Sequence, residues 1–392
     1  MTSAQQPQRI LFISRNLPPI LGGMELLNWH MADELSKYAD VSLVGPCGSA
    51  ALRPSKVPIA EAPLRPLWKF LLVSTWLAIT HSITKRPAVV LAGSGLTAPI
   101  AWLAARLCGA KAVAYVHGLD ITVPNRTYQR LWVPLLRRMD SVIANSHPTA
   151  DLARTAGIDP ARVNIVYPGV KLPEATPAAN CTKQFREKFS LGDGPLLLSV
   201  GRLTSRKGLS EFVSSILPPI VAKYPQAKLV IIGAPPEQAL HAEVLTPEKL
   251  QAEAELAGVG KNIQFLGAVS AEDLSAAYFS AALHVFPVQH IPGNPEGFGM
   301  VAIEAAAHGL ATVAYATGGV VDAVEDGVSG ALVEAGNAEA FIAATLRLLA
   351  SPLPASPIRT FSEQFTWQVF GAKVFSALAA ETKTLSPASG RE

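Results

Sequence analysis

One stretch decides the fold: residues 196–213, LLLSVGRLTSRKGLSEFV. It starts with the apolar run Leu196–Val200, continues with a loop of glycine and basic residues at 201–208, and takes on helical spacing from Leu209. A short apolar run followed by a loop and a helix is typical of one strand–helix unit in a parallel sheet. Downstream, further strands are predicted at 228–232, 263–266, 283–287 and 312–315, and helices at 209–221, 271–281 and 301–307.

The same alternation fills the first half of the chain. Strands are predicted there at 10–14, 41–44, 88–92, 112–116, 141–144 and 163–166, and helices at 24–37 and 99–107. We therefore predict an α/β protein with two doubly wound, Rossmann-like domains at 1–172 and 195–364, joined by a linker at 173–194. Ligands of such sheets bind at the carboxyl ends of the strands, so the active site is expected in a cleft between two facing domains.

The composition excludes several classes of protein. The 392-residue chain is 49% hydrophobic and 16% charged, which excludes an intrinsically disordered chain. Its three cysteines form no CxxC pair, so a disulfide framework and a cysteine zinc site are excluded as well. The first residues lack the basic and long apolar regions of a secretory signal, and we expect a cytoplasmic protein.

Charge is distributed unevenly along the chain. Residues 1–172 contain 18 Lys and Arg against 9 Asp and Glu, and residues 173–392 contain 15 against 21. The two parts therefore carry +9 and −6, which gives +3 overall. This asymmetry indicates two domains with different partners; the alternative is that both charged surfaces are only solvated.

The strongest local signal is the segment 296–304, EGFGMVAIE. Its glycines allow a ligand to approach the backbone, and the free N–H groups of a helix beginning near Met300 form an anion site. Glu304, one turn into that helix, can accept hydrogen bonds from ribose hydroxyls, and Glu296 can hold the hydroxyls of a sugar. The alternative is a glycine-rich turn before an ordinary helix.

Basic residues lie at the mouth of the loop 201–208. Arg202 and Lys207 can neutralise a diphosphate leaving group, although two solvated surface charges would look the same in sequence. Gly22 and Gly23, before the first helix, let the backbone approach a phosphate or form a plain turn. His117 follows a strand and can bind a sugar hydroxyl or assist the acceptor, whereas a lone histidine is often structural.

A competing pattern occurs at 93–98, GSGLTA, which matches a dinucleotide-binding loop with Asp120 as the ribose ligand. It lies on a mid-domain strand instead of the first strand, and Asp120 lies outside its own strand. An NAD(P)-dependent oxidoreductase is therefore the weaker alternative.

The apolar stretch 64–83, LRPLWKFLLVSTWLAITHSI, is too short in its uncharged part to cross a bilayer. One prediction is a helix that packs its aromatic face into the first domain. The other is a helix at an anionic membrane surface, with Trp68, Phe70 and Trp76 at headgroup depth. In that case its cationic neighbours lie near the lipid: Arg65, Lys69, Lys85 and Arg86.

Taken together, these motifs resemble the glycosyltransferase family 4 pattern on a GT-B fold, over nearly the whole chain. The resemblance rests on Gly22-Gly23, His117-Gly118, Asn145-Ser146 with Thr149 and Leu152, Tyr167-Pro-Gly-Val170, Gly201-Arg202 with Lys207-Gly208, Glu296 to Glu304, Ala316-Thr-Gly-Gly319 and Asp326 to Gly330. It also implies that a last helix, at about 365–385, returns to the first domain.

The resemblance implies a site for a sugar nucleotide in the second domain and for the acceptor in the first. Arg202 and Lys207 would hold the diphosphate, Glu304 the ribose and Glu296 the donor sugar. The loop would present backbone groups of Phe298, Gly299 and Met300, and the base would lie near Val269. Family members retain the anomeric configuration without a metal, and this sequence contains no DxD.

Residues 290–295, HIPGNP, look like a variant of bacterial transferases that act on envelope lipids. This favours a GDP-activated mannose or a 6-deoxyhexose such as rhamnose as donor, while UDP-sugars stay open. The expected partners are a nucleotide sugar, a lipid-linked or envelope glycan and the anionic cytoplasmic face of the inner membrane, with no nucleic acid. The alternative in another class is a scaffold protein that kept the fold and lost turnover.

Overall fold

The computed structural model describes residues 8–20, 22–174, 179–235 and 245–379. They form two compact units. Unit 1 contains the described residues up to Pro168 and from Trp367 onwards, and unit 2 contains the described residues within Gly169–Thr366. Each unit has a parallel sheet of its own, as the alternation of strands and helices predicts.

The described residues of unit 1 contain seven strands: β1 (Arg9–Ile13), β2 (Asp40–Pro46), β3 (Ile59–Ala62), β4 (Val89–Ala92), β5 (Lys111–Val116), β6 (Ser141–Ala144) and β7 (Val163–Ile165). They form one parallel sheet in the order β3-β2-β1-β4-β5-β6-β7. The order reverses between β1 and β4, so their carboxyl ends form the switch point at which such sheets bind ligands.

The last described helix, Trp367–Ala379, packs on the first helix, Gly23–Leu35. The rings of His30 and Trp367 stack with 3.9 Å between their centroids. The other helices and turns of unit 1 are Ala50–Leu52, Leu67–Lys85, Gly95–Thr97, Ala98–Cys108, Leu119–Thr122, Arg126–Leu131, Val133–Leu136, His147–Thr155 and Pro160–Arg162.

Helix Leu67–Lys85 corrects one expectation from the sequence. Phe70 is completely buried, whereas Trp68 and Trp76 are exposed. The helix buries the line Phe70, Ser74, Ala78 and Ser82, which are spaced by four residues and therefore lie on one face. Both predictions for this stretch were thus partly wrong: Phe70 does not join an exposed surface, and the tryptophans do not pack into the domain.

The described residues of unit 2 contain six strands: β8 (Leu196–Val200), β9 (Lys228–Ile232), β10 (Ile263–Gly267), β11 (Leu283–Phe286), β12 (Thr312–Tyr315) and β13 (Gly330–Val333). They form one parallel sheet in the order β10-β9-β8-β11-β12-β13. Here the order reverses between β8 and β11, which places a second switch point at their carboxyl ends.

The helix that follows β8 is continuous from Leu209 to Lys223 and contains a π-helical turn at Phe212–Ile216. Further helices and turns of unit 2 are Ala179–Lys188, Ser205–Lys207, Pro247–Leu256, Gly260–Asn262, Ala271–Ser280, Met300–Ala307, Val320–Ala323, Ala338–Ala350 and Ala355–Glu363.

Elements at the sheet edges and in the segment 173–194 differ from the prediction. The edge strands β3 and β13 were not predicted, since each has only four residues and both are partly exposed. The segment 173–194, predicted as a linker, contains helix Ala179–Lys188, whose Phe185 is buried in the core of unit 2.

Among the described residues, no single helix is both long and apolar enough to cross a membrane. One bent pair of helices, Ala338–Ala350 with Ala355–Glu363, has the combined length and composition of a membrane span.

Candidate functional site

The loops 201–208 and 287–299 follow β8 and β11, the two strands that flank the switch point of unit 2. The backbone N–H of Gln289 donates to the carbonyl of Arg206 at 2.9 Å, which joins the loops. At Gly208, with φ of +71°, a Cβ would lie 1.8 Å from the carbonyl oxygen of Pro287. Only glycine fits there, and the close approach brings the basic loop against the acidic one.

Three charged side chains meet where these loops join. Lys207 Nζ lies 2.8 Å from Glu296 Oε2, and the Arg206 guanidinium donates to the same oxygen. The two cationic side chains are 15% exposed and the Glu296 side chain is 12% exposed. Lys207 Nζ also lies 4.7 Å from the centre of the Phe286 ring, in cation–π contact. Lys207 and Glu296, which were predicted to bind different parts of a donor, are therefore in direct contact with each other.

The electrostatics of the cluster favour its charged form. Burial alone would raise the pKa of the Glu296 carboxyl, but the charges and hydrogen bonds of Arg206 and Lys207 lower it from 4.5 to about 2. Burial lowers the pKa of Lys207, an effect that Glu296 partly offsets. Glu296 is consequently an anion at neutral pH, held between two cations.

Tight packing also holds the segment 296–304 in place. The turn Ala316-Thr-Gly-Gly319 follows β12, and the N–H of Gly319 donates to the carbonyl of Glu296 at 2.9 Å. A Cβ on Gly319 would lie 2.0 Å from the carbonyl oxygen of Gly297, so a larger residue would push the loop away. Phe298 is buried and its ring lies 5.8 Å from that of Phe365.

Helix Met300–Ala307 starts directly after Gly299, which has φ of +94°. Glu304 lies one turn into it, half-buried, with Oε2 accepting a 2.9 Å hydrogen bond from the hydroxyl of Tyr278. Burial raises the pKa of Glu304, and the hydrogen bond from Tyr278 partly offsets this. One carboxylate oxygen is thereby fixed, which leaves Oε1 for a ligand.

The other two predicted residues of unit 2, Arg202 and Val269, lie in the loops after β8 and β10. Arg202 is exposed, and its positive charge contributes to the lowered pKa of Lys207. Val269 follows β10, is half-buried and packs on the core. Among the described residues, neither of these side chains forms an ion pair or a hydrogen bond with Glu296 or Glu304.

In unit 1, the predicted residues surround the switch point of the first sheet. Gly22 and Gly23 begin helix Gly23–Leu35 after β1. His117 follows β5 and is buried, and its Nε2 lies 3.0 Å from the carbonyl oxygen of Gly93. Because a carbonyl only accepts, Nε2 carries the proton in this arrangement. No hydrogen bond to Nδ1 is found in the part of the chain that the structure describes.

Asp120 has a structural role that the sequence did not suggest. Its Oδ2 accepts from the N–H of Gly95 at 2.8 Å, and its Oδ1 accepts from the N–H of His117 at 2.9 Å. Both carboxylate oxygens therefore tie the loop after β4 to the turn after β5. This geometry is unlike the ribose ligand that the dinucleotide pattern requires.

Comparison with known proteins shows which family this chain belongs to. The chain matches the model of Glycosyl transferases group 1 over residues 182–363 and that of Glycosyltransferase Family 4 over residues 21–173. A D-inositol 3-phosphate glycosyltransferase of Geodermatophilus obscurus is 30% identical over 359 residues, which span 85% of this chain and 77% of that protein. The chain belongs to the family 4 glycosyltransferases.

One further curated protein and one solved structure are similar to this glycosyltransferase. A GDP-mannose-dependent alpha-(1-6)-phosphatidylinositol monomannoside mannosyltransferase of Mycolicibacterium smegmatis is 29% identical over 299 residues, 73% of this chain and 75% of that protein. The crystal structure of HepE from Anabaena in complex with UDP superposes with a TM-score of 0.77 at 20% identity, covering 95% of this chain and all of that one. The fold is the two-domain GT-B fold.

Sequence reasoning missed Arg206 and Tyr278, which form hydrogen bonds with the predicted residues Glu296 and Glu304 of this glycosyltransferase. Arg206 lies next to Lys207 in the same basic loop, so its position alone could have suggested it. Tyr278 lies in helix Ala271–Ser280, and no motif marks it as a partner of Glu304.

Proposed function

We propose that this glycosyltransferase moves a hexose from a nucleoside-diphosphate sugar to a lipid-linked or envelope glycan. Mannose or a 6-deoxyhexose such as rhamnose is the favoured sugar, and a GDP-sugar the favoured donor. The observation that carries the proposal is the cluster of Arg206, Lys207 and Glu296 at the switch point of unit 2. The GDP-mannose dependence in the name of the Mycolicibacterium relative supports the donor.

The proposed donor roles follow from charge and position. Lys207, with Arg202 and Arg206, neutralises the diphosphate, since these are the cations of the loop after β8. Glu304 accepts hydrogen bonds from the ribose through the oxygen that Tyr278 does not occupy. Glu296 holds hydroxyls of the sugar, Val269 lies near the base, and the backbone of Phe298, Gly299 and Met300 borders sugar and phosphate.

We further propose that the transfer retains the anomeric configuration and requires no metal ion. The bond between C1 of the sugar and the diphosphate oxygen breaks, the acceptor oxygen bonds to C1 on the same face, and the departing diphosphate takes the acceptor proton. The low pKa of Glu296 and its pairing with two cations support this route, because such a carboxylate is a poor base and a poor nucleophile. Arg202, Arg206 and Lys207 supply the positive charge that a divalent ion would otherwise provide.

The acceptor is proposed to bind unit 1, with Gly22, Gly23 and His117 at its switch point. Since Nε2 of His117 donates to Gly93, its Nδ1 can accept a hydrogen bond from an acceptor hydroxyl. Because the proposed acceptor is carried by a lipid, the proposed location of the enzyme is the cytoplasm, at the periphery of the inner membrane. The two relatives are named for an inositol phosphate and for a phosphatidylinositol monomannoside, so both classes are test acceptors.

A thermal-shift panel with GDP-, UDP-, ADP- and dTDP-sugars tests the donor. A donor at 100 times its Kd stabilises the fold by about 2.7 kcal/mol, which gives a clear shift. Donor hydrolysis, with and without EDTA, then tests turnover and metal independence, and the anomer of the product reports retention. The proposal fails if no sugar nucleotide is bound or cleaved, and its donor preference fails if UDP-sugars alone shift the transition.

A further inference from the structure

The surface of unit 1 carries an unusual apolar feature on helix Leu67–Lys85. Four large side chains of this helix are exposed: Trp68 by 63%, Leu72 by 63%, Trp76 by 64% and Ile83 by 58%. At about 100° per residue they fall within a sector of roughly 80°, so they form one line along the helix. We name these four residues the exposed stripe.

The opposite face of the same helix is already covered. Phe70, Ser74, Ala78 and Ser82 are buried in unit 1, and they lie on the side of the helix away from the exposed stripe. A helix that is apolar on all sides is normally buried on all sides. Here one side packs on the protein while the other presents two tryptophans to solvent, and exposed apolar patches of this kind mark interaction surfaces.

The charges around the exposed stripe specify the kind of surface. Helix Leu67–Lys85 contains no acidic residue. Arg65 and Lys69 lie at its start and Lys85 and Arg86 at its end, all four exposed, and in the described residues none of them forms an ion pair. Tryptophans between unpaired cations match the boundary between the headgroups and the acyl chains of an anionic bilayer.

We propose that the exposed stripe docks unit 1 on anionic lipid, with the helix lying in the plane of the membrane. A helix of 19 residues is about 28 Å long, so both cationic ends reach the headgroups when it lies flat. Trp68, Leu72 and Trp76 reach the boundary between the headgroups and the acyl chains, and the cations contact the headgroups. The inference deepens the proposed function, on which it rests for its partner, because it assigns the membrane contact to one face of one helix.

Vesicle co-sedimentation tests this contact with the full chain. We expect the protein to bind vesicles of phosphatidylcholine mixed with phosphatidylglycerol, to bind pure phosphatidylcholine much more weakly, and to lose affinity as salt is added. The triple variant Trp68→Ser, Leu72→Ser, Trp76→Ser should lower the partition coefficient at least tenfold. Changing Arg65, Lys69, Lys85 and Arg86 together to Gln should lower it by nearly three orders of magnitude, at about fivefold for each cation.

Matched controls separate the contact from general effects. Leu131→Ser with Leu256→Ser also removes exposed leucines, from helices Arg126–Leu131 and Pro247–Leu256, and should leave binding unchanged. The conservative pair Trp68→Phe, Trp76→Phe should keep most of the binding and remove the blue shift of tryptophan fluorescence on vesicle addition. Far-ultraviolet circular dichroism and a cooperative thermal transition establish that each variant is folded.

Three results would overturn the proposal. The first is wild-type protein that does not bind anionic vesicles at low salt, and the second is a triple variant that binds as wild type does. The third is a wild-type dimer in lipid-free ultracentrifugation that the triple variant abolishes, since a second copy would then cover the exposed stripe. Donor hydrolysis is measured beside these assays: vesicle binding without hydrolysis contradicts the proposed function and leaves the membrane contact standing.

Discussion

Replacing Glu296 by Gln removes the anion that lies between Arg206 and Lys207 while keeping the size of the side chain. The cluster is largely buried, so two cations would remain with little water and no counter-charge. We therefore expect Glu296→Gln to destabilise unit 2 and, at the same time, to leave an anion site that is more positive than in the wild type.

The magnitude follows from the pKa of Glu296, which falls from 4.5 to about 2. Each tenfold change in proton affinity corresponds to about 1.4 kcal/mol, so the ionised carboxylate contributes about 3 kcal/mol to folding near neutral pH. Because the pKa is lowered in the folded state, this contribution is complete above about pH 5. It is lost as the pH falls towards 2, with about half remaining near pH 3.

Urea unfolding of the wild type and of Glu296→Gln, near pH 7 and near pH 3, measures this contribution. The variant should unfold with about 3 kcal/mol less free energy near neutral pH, and the difference should shrink in acid. Adding a bare nucleoside diphosphate should narrow the gap at neutral pH, since the diphosphate supplies the missing negative charge. Sugar transfer should still fall, because the donor sugar loses its carboxylate partner.

Two outcomes would refute the reasoning. If the variant is as stable as the wild type near neutral pH, the ion pair does not hold the loops together. If the nucleoside diphosphate stabilises both proteins equally, Arg206 and Lys207 do not bind the diphosphate.

Other variants test single contacts. Arg202→Ala and Lys207→Ala should each lower turnover by about 10²–10³-fold. Only Lys207→Ala should also lower thermal stability, because Lys207 is largely buried in an ion pair with Glu296 whereas Arg202 is exposed. Wild-type turnover in either variant would contradict the assignment of that residue to the diphosphate. Tyr278→Phe should weaken nucleotide binding and move the loss of affinity in acid to higher pH, because the hydrogen bond that lowers the pKa of Glu304 is gone. An unchanged pH profile of the nucleotide Kd would show that Tyr278 does not position Glu304.

The sequence was sufficient for the architecture because buried parallel strands are short apolar runs between loops. All the predicted strands from 10–14 to 312–315 occur within a few residues of the predicted bounds. The edge strand β3, IAEA, was not predicted because an edge strand pairs with only one neighbouring strand and does not need a continuous apolar run.

The candidate site was predictable only as separate pieces. Both charged loops follow strands, and carboxyl ends of parallel strands share one edge, so Lys207 and Glu296 were expected near one ligand. Their direct contact joins residues that are 89 apart, and that of Tyr278 with Glu304 joins residues 26 apart. Such pairings depend on how loops and helices pack, which no local pattern encodes.

Phe70 was misplaced for a related reason. An apolar stretch indicates a helix, but not which side of it faces the protein. In the structure the inward side of helix Leu67–Lys85 includes the small residues Ser74, Ala78 and Ser82, and the neighbouring helix Ala98–Cys108 is rich in alanine. Small side chains let the two helices approach closely, so the bulky tryptophans face away from the core.

The helix Trp367–Ala379 has a consequence for how the protein is made. It completes unit 1 by packing on Gly23–Leu35, although about 200 residues of unit 2 are translated in between. At roughly 5–20 residues per second, the ribosome needs about 10–40 s for that stretch. During this time the surface around His30 that Trp367 will cover is exposed to solvent, so unit 1 cannot complete its folding. Unit 2 is contiguous in sequence and can therefore complete its folding first.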